Sequence, residues 1–81
     1  MMNDVQIRER LTGIFRDVFD DDSIQIFDAM TAKDIEDWDS LNHINLIVAV
    51  EGSFNVKFTT KEVTNLANVG ELVTLIAQKL S

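Results

Sequence analysis

The sequence predicts an all-α fold: a four-helix bundle of three longer helices and one short third helix, with a long loop between helices one and two. Three observations predict it. Apolar residues recur at helical spacing in three separate segments; paired capping signals open two of the four helices; and the only run that could pass for a strand, Asn55 to Phe58, is four residues long with no second run to pair with. With 81 residues, 46% of them hydrophobic, residues 1–81 are read as a single domain. The chain has no Cys, so neither a disulfide nor a Cys-ligated metal can staple so small a core, and its stability must come from helix packing.

Each element has its own signal. From Asp4 to Phe19, Ile7, Leu11, Ile14, Phe15 and Val18 share one face of an amphipathic helix. Asp20 to Asp39 carries Ile24, Ile26, Phe27, Met30, Ile35 and Trp38 without a sustained period, so it reads as a long connection pinned to the core by its apolar residues. Ser40 to Phe54 is the second long helix. Asp39 is its N-cap, its carboxylate accepting from free N–H groups of the first turn, and Gly52 is expected to fray its end. Asn55 to Phe58 is a loop. Thr59 with Glu62 three places later forms a capping box that starts a short helix through about Asn65. Asn68 with Glu71 repeats the device more loosely and opens a last helix with Val69, Leu72, Val73, Ile76 and Leu80 on one face.

Charge narrows the function. Fourteen acids against seven bases give a net charge of -7, which argues against a nucleic-acid partner. Nine of the acids and only one base, Lys33, lie between Asp17 and Asp39, so that segment carries -8 and the rest of the chain +1. The segment is either a solvated acidic loop or a surface that steers basic partners. No run approaches the roughly 20 apolar residues of a membrane span, and Met1 to Glu9 lacks a signal peptide's apolar region, so the expectation is a cytoplasmic protein with no membrane partner. A chain of this size with no cluster of metal ligands is also not expected to be an enzyme, and no catalytic or metal site is assigned.

Ser40 and His43, three apart on one helix beside Asp39, do not make a hydrolytic triad, because neighbours on one helix supply neither an aimed base nor an oxyanion hole. His43 is read as packed or partly exposed. Asp20 to Thr31 does not make a calcium loop, since Ile24, Gln25 and Thr31 stand where a ligand, a glycine and a glutamate are needed. Trp38, the lone Trp, is read as stapling the loop to the core.

The second helix has more apolar residues than one face can hold. On a wheel of about 100° per residue, Leu46, Ile47, Val50 and Phe54 form the core face. Leu41 and Val48 fall opposite, with Ile44 at the boundary, so the helix is either wedged inside the bundle or offers one side to a partner. Ser40 opens this helix, where unpaired N–H groups and the helix dipole favour a phosphate. It is read either as the bearer of a phosphodiester or as a residue making a local hydrogen bond.

The run Trp38-Asp39-Ser40-Leu41 follows a first amphipathic helix by about twenty residues, and Ile47-Val48-Ala49-Val50-Glu51 and Phe54 come after it. Together with the acidic composition, the short third helix at Thr59 and the last helix at Val69, it resembles the acyl carrier protein family over essentially the whole chain. The resemblance implies a carrier domain whose Ser40 is esterified by 4'-phosphopantetheine, donated from coenzyme A by a phosphopantetheinyl transferase. The arm's thiol would hold acyl or aminoacyl groups as thioesters. It further implies that Asp39, Leu41, Val48 and Glu51 serve transferase and partner recognition, and that Leu46 and Val50 line an acyl-chain cleft. The partners implied are the transferase, an acyl-loading ligase or transferase, and the synthase enzymes of fatty acid, polyketide or related biosynthesis, with the carrier itself a monomer.

Two departures refine this. Asp37 and Trp38 replace the first two places of the Gly-x-Asp-Ser-Leu pattern of fatty acid synthesis, and the second helix, usually acidic, has Asn42, Asn45, Gly52 and Ser53 with only Glu51 left. The chain therefore looks like a specialised stand-alone carrier. Two rivals are kept: an unmodified helical interaction module docking through Leu41 and Val48, and a degenerate carrier that is no longer loaded.

Overall fold

The computed structural model describes residues 2–80. Four helices run in the order α1 (Asp4–Val18), α2 (Ser40–Phe54), α3 (Thr60–Thr64) and α4 (Val69–Leu80), with a single 3₁₀ turn, Ala32–Asp34, in the long loop before α2. The expected all-α bundle of three longer helices and a short third one is what forms. Among the described residues there is no strand, and no helix is long and apolar enough to cross a membrane.

α1 is opened by a capping box at Asn3, which the sequence reading did not assign. The Asn3 side chain accepts from the Gln6 N–H at 2.8 Å, and Gln6 accepts from the Asn3 N–H at 2.9 Å. The helix buries Ile7, Leu11, Ile14 and Phe15 against α2 and α4. From α2 the core receives Leu46, Val50 and Phe54, and from α4 Val69, Leu72, Val73 and Ile76. Each such side chain, fully buried, is worth about 1.5–3 kcal/mol, which is how helices of this length hold without a disulfide.

The long loop is fastened at several points. Asp20 takes a left-handed turn (φ 51°), a conformation that Asp tolerates. Ile24 and Met30 are then buried, and the Arg16 guanidinium donates to the Ile24 carbonyl at 2.8 Å. Farther on, the loop caps α4: the Met30 and Asp28 carbonyls accept from the N–H groups of Val69 and Gly70, both at 2.9 Å. At Gly70 the approach is close, because a Cβ there would stand 3.1 Å from the Asp28 carbonyl oxygen. Arg8 of α1 bridges Asp4 and Asp28, tying the same point to the first helix.

The other boundaries follow local chemistry. α2 continues through Gly52 to Phe54, in place of the expected fraying, and ends where Asn55 adopts the left-handed conformation of a C-cap (φ 56°). Thr59 and Glu62 form the expected box at 3.1 and 2.8 Å, and Glu62 reaches on to Lys79 of α4 at 3.0 Å, which clamps α3 to the end of the chain. At α4, Asn68 accepts from the Glu71 N–H, but Glu71 reaches back to the Ala67 N–H, one residue earlier than a strict box requires.

Candidate functional site

The N-terminus of α2 is built from three polar residues and leaves a fourth free. Asp39 is extended, and its carboxylate accepts from the Asn42 N–H at 2.8 Å while its carbonyl accepts from the His43 N–H at 2.8 Å. The Asn42 side chain donates to the Asp37 carbonyl at 2.7 Å and locks the preceding turn. Ser40 is then the first helical residue. It is exposed, and neither its hydroxyl nor its N–H, nor the Leu41 N–H, has a hydrogen-bond partner among the described residues. The local hydrogen bond that would have made Ser40 a purely structural residue does not form.

Beside it stands an aromatic pair. Trp38 packs edge-to-face on Phe15, with ring centres 5.4 Å apart, and lies 5.9 Å from Phe19, so it does staple the loop to the core. Its indole N–H donates to His43 Nδ1 at 3.1 Å, and the two rings lie nearly parallel, 6.1 Å apart. His43 is thus half-buried as expected, but it has a specific partner five residues back. Spacing alone carries no signal for that contact, because the turn between Trp38 and α2 creates it.

Two depressions meet at this pair. An open recess of about 500 Å³ surrounds Ser40, lined by Ala32, Trp38, Asp39, Ser40, His43 and Ile44. A groove of about 540 Å³ lies between the 3₁₀ turn, α2 and the start of α4, and it shares Ala32, Trp38 and His43 with the recess. Its aliphatic lining comes from Leu46, Leu66, Val69 and Leu72. Of the two residues read as cleft-lining, Leu46 lines this groove. Val50, as fully buried in the core as Leu46 is, lines neither depression.

The residues read as partner-facing divide in the same way. Leu41 is 68% exposed and Val48 62%, with Ile44 between them at 59%, so the outward side of α2 carries an apolar stripe. Asp39 is exposed, with one carboxylate oxygen given to the cap. Glu51 is half-buried, and its Oε2 accepts from the Phe58 N–H at 2.9 Å, so one of its oxygens is engaged in fixing the loop between α2 and α3.

No family model matches the chain, and no curated protein matches it. Among solved structures, the solution NMR structure of the holo acyl carrier protein from Geobacter metallireducens is 49% identical to it, covers 90% of this chain and 84% of its own, and superposes with a TM-score of 0.86. This chain belongs to the acyl carrier protein family. The acyl carrier protein is a carrier and not a catalyst. The resemblance carried by Trp38 to Leu41 and by the order of the helices holds at the level of the whole fold.

Proposed function

We propose that this acyl carrier protein is loaded at Ser40 with 4'-phosphopantetheine by a phosphopantetheinyl transferase. The observation that carries the proposal is the Ser40 hydroxyl, exposed and unpartnered at the first residue of α2 beside two free N–H groups. A phosphodiester on that oxygen sits at the positive end of the helix dipole, where such donors and anions belong together. In loading, Ser40 Oγ attacks the phosphorus that bears pantetheine; the Oγ–P bond forms, the phosphoanhydride bond breaks and adenosine 3',5'-bisphosphate leaves. The serine proton goes to a base of the transferase. Once attached, the arm supplies the thiol that this Cys-free chain lacks and holds acyl or aminoacyl groups as thioesters.

Asp39, Leu41 and Val48 form the face presented to the transferase and to later partners, which include an acyl-loading ligase or transferase and synthase enzymes. Glu51 contributes at the far end of that face through its remaining oxygen. The scarcity of acids along α2, which has Glu51 alone, supports a specialised stand-alone carrier in fatty acid, polyketide or related biosynthesis, working in the cytoplasm as a monomer, with residues 1–81 as one carrier domain. Met1 and Ser81, the bounds of that domain, lie outside the described residues.

Intact mass after incubation with coenzyme A, magnesium and a broad-specificity transferase tests the reading. The parent is expected to gain one phosphopantetheine and Ser40→Ala none. No gain in folded parent protein would leave the docking module acting through Leu41 and Val48 as the better account.

A further inference from the structure

We propose that Trp38, Asn42 and His43 are positioning residues for loading: two side-chain hydrogen bonds that cross the start of α2 in opposite directions hold Ser40 in the orientation its attack requires. The proposal deepens the reading of Ser40 as the loading site and rests on it. From the loop side, the Trp38 indole N–H donates to His43 Nδ1 at 3.1 Å. From the helix side, the Asn42 amide donates back to the Asp37 carbonyl at 2.7 Å. Each bond spans five residues, and Ser40 lies inside both spans.

A serine that is to receive a phosphodiester cannot anchor itself. Its hydroxyl has to stay free to attack, and its N–H and that of Leu41 are the donors left for the phosphate. Whatever fixes the Ser40 Oγ therefore acts through the residues on either side. On the loop side, the Asp37 carbonyl accepts from the Asp39 N–H at 2.9 Å as well as from Asn42, and the Trp38 ring is packed on Phe15 and Phe19. On the helix side, the brace requires an acceptor at the His43 Nδ1 position, so in the neutral ring the proton is on Nε2. Trp38, Asn42 and His43 are half-buried, whereas Leu41 and Val48 are the exposed side chains that a partner meets. Holding an attacking oxygen in line is an orientation effect, so the two braces act on the rate of the chemical step, and docking is left to the outward face.

The apo parent, Trp38→Phe, His43→Leu, His43→Asn, Asn42→Ala and Leu41→Ala are each checked for helical content and thermal unfolding. Each is then loaded from coenzyme A in single turnovers, with a broad-specificity transferase in excess. Intact mass against time gives a maximal rate and a half-saturating transferase concentration. Trp38→Phe, His43→Leu and Asn42→Ala should each lower the maximal rate by roughly threefold to tenfold, the worth of one hydrogen bond, with the half-saturating concentration unchanged. Leu41→Ala should act on the other parameter and raise the half-saturating concentration. His43→Asn, which keeps an acceptor near the Nδ1 position, should load at the parent's rate. Because Trp38 is the only Trp, its fluorescence anisotropy decay reads one brace directly: the indole should move more freely in His43→Leu than in the parent or His43→Asn. Parent-like maximal rates in folded His43→Leu and Asn42→Ala, or losses confined to the half-saturating concentration, overturn the positioning role and leave loading intact. His43→Asn as slow as His43→Leu overturns it too. No mass gain in the folded parent overturns loading at Ser40, and the proposal with it.

Discussion

On one side of α2, Leu46, Ile47, Val50 and Phe54 are buried, whereas on the other Leu41, Ile44 and Val48 stand in solvent, although both sets are apolar and share fifteen residues of one helix. Hydrophobicity alone therefore does not decide what is buried here. In a bundle this small, α1 packs against both α2 and α4, and the outward turns of α2 stay uncovered beside the five residues of α3. Each exposed side chain forgoes the roughly 1.5–3 kcal/mol that full burial would bring, so the outward stripe is kept for something other than the stability of the isolated chain. Ser40 lies at the head of the same helix and presents its hydroxyl next to that stripe.

Substitution on the two sides is the sharpest way to break this contrast. Leu46→Ala should cost about 2–5 kcal/mol in urea unfolding, because it leaves a cavity in the core. Leu41→Ala should change stability by less than about 0.5 kcal/mol while slowing loading by the transferase. Equal losses of stability from the two would end the distinction between the faces. Asp39→Ala should lower stability by about 1 kcal/mol, the usual worth of an N-cap, since it removes the 2.8 Å acceptor of the Asn42 N–H. Asp39→Asn should recover most of that, and a cap residue that proves dispensable would mean the helix start is held by Asn42 and Asp37 alone.

A smaller effect of opposite sign is expected at Gly52, which is exposed on α2 and would place a Cβ in open space. Gly52→Ala should raise stability by about 0.5–1 kcal/mol, read as a shift of the urea midpoint at constant slope. The smallest effect is one of pH and lies away from α2. The Thr59 N–H and then Lys79 hold the Glu62 carboxyl below its ordinary value, and the Ser23 hydroxyl and N–H do the same for Asp21. A carboxylate depressed in the folded state adds stability above its unfolded value and loses it as pH falls through the folded one. Stability should therefore decline as pH drops below about 4, and Glu62→Gln should make that decline shallower. Unchanged acid sensitivity in Glu62→Gln would show that the clamp between α3 and α4 contributes nothing.

What could be read from the residues was whatever depends on neighbours a turn or less apart. The period of Ile7, Leu11 and Phe15, the Asp39 cap, the Thr59–Glu62 box and the outward placement of Leu41 and Val48 are all of that kind, and all are observed. The box between Thr31 and Asp34 uses the same logic but opens only a 3₁₀ turn with no apolar run after it, so it gave little signal. Long-range matters were hidden. The Asp28 and Met30 carbonyls capping α4, the bond from Trp38 to His43 and the Phe58 N–H on Glu51 all depend on how the loops fold back. The wheel placed Val50 on the core side but did not say which core residues also reach the groove, and there Leu46 and Val50 part company.

The central claim is that the outward end of α2 exists to carry a group on Ser40. Peptide mapping by tandem mass spectrometry after treatment with coenzyme A and a broad-specificity transferase tests it most directly, because Ser23 and Ser53 are also exposed serines in the same molecule. The account predicts one phosphopantetheine, on the peptide that contains Ser40, and none on the peptides that contain Ser23 or Ser53. A group on either of those serines, or none on folded protein, would contradict it.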